Sequence, residues 1–163
     1  MLASTSPPLL NETVSWLAQR PVTVRCLSPT EAAEDYHLSV LGWLAYVDGR
    51  YVNDRFIPGN VATLTPKVCW PLLAIGRRYS SVYTTSEVAL ALLVLTHESG
   101  HLRGRGWSEA QTQCWAIRHV GYVARRLGVS ASELPAVLAA ALEWDARLPD
   151  SYRLPGCVRP RVD

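Results

Sequence analysis

Lysine is almost missing from this chain: of its 16 basic residues, Lys67 alone is not an arginine. Such a bias reads as a habit of the coding sequence rather than a functional signal. An excess of one charge is missing too. The 14 acidic residues leave a net charge of +2 with no long run of either sign, so neither nucleic acid nor an anionic membrane is implied as a partner. No apolar run spans a bilayer; the most apolar window, residues 88–95, is less than half of the about 20 residues required. Residues 1–8 hold no basic segment followed by an apolar core, so no secretory signal is read and a cytoplasmic protein is expected. The four cysteines (Cys26, Cys69, Cys114 and Cys157) include no C-x-x-C pair, and their spacing selects no pairing. Reduced, mostly buried thiols are the expectation.

What is present fits a single globular domain over residues 1–163, with 48% hydrophobic and 18% charged residues. Residues 1–10 and 149–163 read as irregular. Between them the order is mixed strands first and helices later, hence an α+β fold. A short helix capped by Asn11 should stop before Pro21, and residues 21–27 alternate as a first strand. Ser28-Pro29 opens a second short helix running to about Tyr36. Asp48-Gly49 reads as a two-residue hairpin turn between residues 43–47 and 50–52, because both turn positions favour φ > 0. A loop at Pro58-Gly59-Asn60 precedes a third strand over residues 61–64. Thr65-Pro66 starts a helix in which Pro71 predicts a kink or restart, Gly76 a stop, and residues 77–83 a linker.

The second half predicts three helices. Thr84 and Glu87 form a capping box, and the helix they open is apolar on every side over its first turns, so it should be buried. Gly104 is its expected left-handed stop. Ser108 and Gln111 cap the next helix, closed by Gly128, and Ser132 caps the last.

The buried helix ends in His97-Glu98-Ser99-Gly100-His101. Residues four apart on a helix share a face, so both imidazoles can bind one metal ion while Glu98 stands beside them to take a proton from a bound water. A hydrolytic zinc site usually adds a third protein ligand. The longer pattern HExxHxxGxxH is matched through Gly104, but position 107 is Trp, which removes the third-histidine arrangement. Glu109, which opens the following helix, is the better candidate. Gln113, one turn on, is placed to hydrogen-bond a ligand imidazole. Cys114, Cys69, Trp107, Trp115 and Trp144 read as packing residues.

His97-Glu98-Ser99-Gly100-His101, followed by a helix carrying Glu109 and Gln113, resembles the zinc metallopeptidases of the gluzincin type. The small size of the chain and its few strands before the active-site helix are similar to the minimal, minigluzincin forms. Residues 60–69 together with 97–115 are also similar to small HExxH proteins of actinobacteria. Seven residues, 102–108, separate His101 from Glu109, fewer than is usual in gluzincins. The resemblance implies a zincin-like domain: a small mixed or antiparallel sheet packed on a helical half. It implies one Zn2+ per chain held by His97, His101 and Glu109. Glu98 would activate the zinc-bound water for hydrolysis of a peptide or protein substrate, held as an extended strand along a sheet edge, for which residues 61–64 are the candidate. His119, Tyr122 and Tyr83 are the available oxyanion donors. The readings left open are a catalytically idle zinc-binding regulatory or partner-binding domain, and a metal-assisted hydrolase acting on a non-peptide amide.

Overall fold

A computed structural model describes residues 7–39, 43–53, 55–75 and 82–159. Of the segment expected to be irregular over residues 1–10, residues 1–6 lie outside the described residues, as do the stop at Gly76 and most of the linker at 77–83, whereas residues 8–10 are helical. The first helix, α1 (Pro8–Ala18), begins before Asn11, because a proline in the first turn lacks only an N–H that would have no partner there. Asn11 is therefore not the cap. Its Oδ1 accepts from the backbone N–H of Val24 at 2.7 Å and ties the helix to the strand that follows.

That strand, β1 (Thr23–Cys26), buries alternate residues. α2 (Pro29–Glu34) carries a Ser28–Glu31 capping box, and Asp35 breaks it from the single turn α3 (Tyr36–Ser39). β2 (Ala45–Val52) and β3 (Arg55–Leu64) form the hairpin, but Asp48-Gly49 is not its turn. The dipeptide sits at an irregularity inside β2, where the Asp48 carboxylate accepts from the N–H of Val61 at 2.8 Å. The chain reverses after β2 instead, with Asn53 left-handed at φ 49°. Pro58-Gly59-Asn60, expected as a loop, is strand. The sheet order is β1-β3-β2, with β1 parallel and β2 antiparallel to β3. Residues 61–64 are thus not an edge but central, and β2 is an outer strand whose far side pairs with no strand among the described residues.

α4 (Pro66–Ala74) keeps Pro71 buried inside it without a restart. α5 (Thr85–Arg103) opens on the Thr84–Glu87 capping box and is the helix the rest packs on. Val88, Ala89, Ala91, Leu92 and Leu95 are fully buried among α1, α4, the sheet and the two helices that follow. Those are α6 (Glu109–Leu127), capped by Ser108 and closed by left-handed Gly128, and α7 (Leu134–Ala146). Ser132 does not cap α7; the residues before it form a turn in which Ser130 Oγ accepts from the Glu133 N–H at 3.3 Å. One 3-10 turn, Asp150–Tyr152, interrupts an otherwise irregular tail. No helix among the described residues is long and apolar enough to cross a membrane.

The cysteines depart from the expected reduced thiols. Cys26 of β1 is bonded to Cys69 of α4, and Cys114 of α6 to Cys157 of the tail, with Cα–Cα separations of 5.7 and 5.8 Å. Each pair is 43 residues apart, so only the tertiary fold brings the partners face to face. Expected, therefore, is no free thiol in the denatured, unreduced protein and four after reduction. Serine replacement of either pair should cost about 2–4 kcal/mol of stability in denaturant titrations; free thiols in the unreduced chain would contradict the pairing.

Candidate metal centre

Two helices build the centre, and glycine lets them meet. A Cβ at Gly100, one turn after His97, would lie 2.8 Å from Thr112 Cγ2 and 3.1 Å from the Trp115 ring. Without a side chain there, α6 approaches the histidine face of α5 closely. The chain between them reverses in a few residues. Gly104 is not left-handed, as expected, but at φ −94°; the Trp107 indole fills the space its Cβ would need. The left-handed residue is Gly106, at φ 80°. Ser108 then accepts from the Gln111 N–H and starts α6.

This geometry brings together the three residues expected to share a metal. The donor atoms of His97, His101 and Glu109 all lie within 4.8 Å of one another, so the group could hold a metal ion. His97 Nε2 is 3.0 Å from His101 Nε2 and 3.0 Å from Glu109 Oε2, which is 3.4 Å from His101 Nε2. Tetrahedral ligands at about 2.0–2.1 Å from an ion of zinc size stand about 3.3 Å apart, close to this triangle. Two imidazole nitrogens facing each other also require a proton or a cation between them. The donor set of two nitrogens and one oxygen therefore fits such an ion.

The partners of the ligands are equally defined. Gln113, expected to hydrogen-bond a ligand imidazole, is buried and sets its Oε1 2.8 Å from His97 Nδ1. Thr112 Oγ1 lies 3.5 Å from His101 Nδ1, a contact the sequence did not announce. Burial opposes a charge on His97, but the Glu109 hydrogen bond and the charges of Glu98 and Glu109 outweigh it and raise its pKa. Hydrogen bonding with His101 and His97 holds the Glu109 carboxyl far below the usual carboxylate range. Glu98 moves the other way: burial pushes it up, against the pull of His97 and His101.

The site opens into a cleft of about 1010 Å³. Trp43 and Tyr46 line its sheet side, Leu90 and Val94 line α5, and Trp144 and Tyr152 close the far wall. Trp107 and Trp144 were expected only as packing residues, yet both face the cleft. No lysine or arginine is among the described residues of the lining, whereas Asp48, Glu98 and Glu109 are.

The expected oxyanion donors are elsewhere. His119 stacks on Trp115 at 4.3 Å and lines a separate groove with Trp16 and Arg103. Tyr122 stacks on Trp16 at 4.5 Å, and Tyr83 packs against the core. The tyrosine at the site is instead Tyr152, its ring 5.7 Å from that of His97. Burial, with Glu109 and Glu98 nearby, raises its phenol pKa. A tyrosine in an irregular tail carries no local pattern that marks it. Compared with protein-family models, with curated proteins and with solved structures, the chain matches none.

Metal analysis of the purified chain should return about one ion per molecule. His97→Ala and Glu109→Ala should each lose it, and Glu98→Gln should keep it. Full metal content in Glu109→Ala would remove Glu109 from the ligand set.

Proposed function

We propose that the chain is a zinc-dependent metallopeptidase of the gluzincin type. The observation that carries this reading is the convergence of His97, His101 and Glu109 beside Glu98, at the floor of a cleft bordered by a free sheet edge. Nitrogen and carboxylate donors in a tetrahedral triangle favour zinc. When bound, zinc supplies Lewis acidity to a substrate carbonyl and lowers the pKa of a water it holds to about 7.

The chain's own residues do the rest. A substrate strand pairs with the outer edge of β2, whose residues Tyr46, Val47 and Asp48 line the cleft, and so lies across the three donors. Glu98, whose pKa burial raises, takes a proton from the attacking water and delivers it to the departing amine. Tyr152 keeps its hydroxyl proton and donates to the carbonyl oxygen as charge develops there. Aromatic walls with no lysine or arginine among their described residues favour large apolar side chains around the scissile bond and disfavour acidic ones. Paired cysteines fit an oxidising compartment better than the cytoplasmic location expected from the missing secretory signal.

Peptide-library cleavage by the zinc-loaded chain tests the reading. Glu98→Gln should lower turnover by about 10²–10⁴-fold with metal retained. Tyr152→Phe should cost about 10²–10³-fold, mostly in kcat. Equal cleavage by Glu98→Gln would end its role as base. A zinc-loaded wild type that cleaves nothing would leave an idle zinc-binding domain as the reading.

A further inference from the structure

Behind His97 the structure continues, through residues that no local pattern in the sequence links. Gln113, whose Oε1 faces His97 Nδ1 at 2.8 Å, donates its Nε2 to Asp145 Oδ1 at 2.9 Å. A carboxylate can only accept, so Asp145 settles which end of the Gln113 amide faces which neighbour. The amide NH2 must point at Asp145 and the oxygen at His97. The oxygen in turn requires the proton of neutral His97 to sit on Nδ1, which leaves the Nε2 lone pair directed at His101 and Glu109.

Asp145 is itself buried, 5% exposed, at the end of α7. A buried carboxylate is costly without a countercharge. Among the described residues its Oδ2 has no aligned hydrogen-bond partner, but the Arg159 guanidinium stands 2.8 Å from it, an ion pair of charge rather than of direction. Arg159 lies two residues after Cys157, and Cys157 is bonded to Cys114, the neighbour of Gln113 on α6. Two residues reach at most about 7 Å, so the bond keeps the guanidinium near Asp145. Arg153 adds a second attachment, donating to the Ala146 carbonyl at 3.0 Å.

We propose that Asp145 and Arg159 are positioning residues for the metal ligand His97, and that the Cys114–Cys157 bond is the clip that holds them in place. This rests on the reading of His97 as a metal ligand. The tail is then a working part of the centre: it fixes the tautomer and orientation of one ligand from behind, while Tyr152, on the same segment, faces the ligand from the cleft.

The test uses the full chain in five forms: wild type, Asp145→Asn, Arg159→Ala, Cys114→Ser/Cys157→Ser, and Cys26→Ser/Cys69→Ser as the control for loss of a disulfide remote from the centre. Zinc affinity is measured by competition with a chromophoric chelator, thermal unfolding by circular dichroism, and solvent exchange of the His97 Nδ1–H by 1H–15N NMR of the zinc-loaded protein. Expected is a His97 Nδ1–H that exchanges slowly with water in the zinc-loaded wild type and faster in Asp145→Asn. Asp145→Asn should bind zinc about 10–100-fold more weakly, with about 10-fold losses for Arg159→Ala and the Cys114/Cys157 pair. The Cys26/Cys69 control should lower the unfolding temperature and leave zinc affinity unchanged. Arg159 is half exposed, so its replacement keeps the test available where Asp145→Asn does not fold. Wild-type affinity in Arg159→Ala, or an equal loss in the control, overturns the proposal. A wild type that binds no zinc overturns the metal reading itself, whereas a His97 Nδ1–H that exchanges as fast in the zinc-loaded wild type as in Asp145→Asn overturns only the relay.

Discussion

The approach of α6 to α5 at Gly100 is the constraint on which the rest of the centre depends. Thr112 and Trp115 occupy the volume a side chain there would need, and this contact sets Glu109 and Gln113 opposite His97. A methyl group at that point would push the helices apart by a few tenths of an ångström or more. Ligand distances of 3.0 and 3.4 Å leave little room for such a shift. Gly104 serves the same end one turn later, by admitting the Trp107 indole that packs the reversal. Residues 102–108 are a short connection for the task, and these two glycines make it sufficient.

The electrostatics divide the carboxylates into two roles. Glu109 is drawn toward the imidazoles and held ionised, the state a metal ligand requires. Glu98 is shielded from water and raised, the state a proton carrier requires. Adjacent groups whose surroundings push them in opposite directions are a common mark of acid–base sites. On the proposed reading, the aromatic cleft and the outer strand β2 would supply what the metal centre alone lacks, a surface for an extended, apolar substrate.

Much of this was legible in the sequence because it is local. The capping boxes at Thr84 and Ser108, the all-apolar face of α5, the His97–His101 spacing and the position of Glu109 after the reversal depend on neighbours a few residues away. What the sequence hid depends on distance. Asp48-Gly49 looks like a turn until Asp48 is seen to bond Val61 across the hairpin. Residues 61–64 look like an edge until β1 and β2 pair with them on both sides. Tyr152, Asp145 and Arg159 come from the last helix and the tail, and only the tertiary fold, with Cys114–Cys157, places them at the site. Cysteine pairing was invisible for the same reason.

X-ray absorption at the zinc edge of the loaded protein tests the central claim most directly, because it reads the donor atoms without reference to activity. The account expects two imidazole nitrogens and at least one oxygen at about 2.0–2.1 Å, and no sulfur at about 2.3 Å. A sulfur shell, or fewer than two imidazoles, would contradict a centre built from His97, His101 and Glu109.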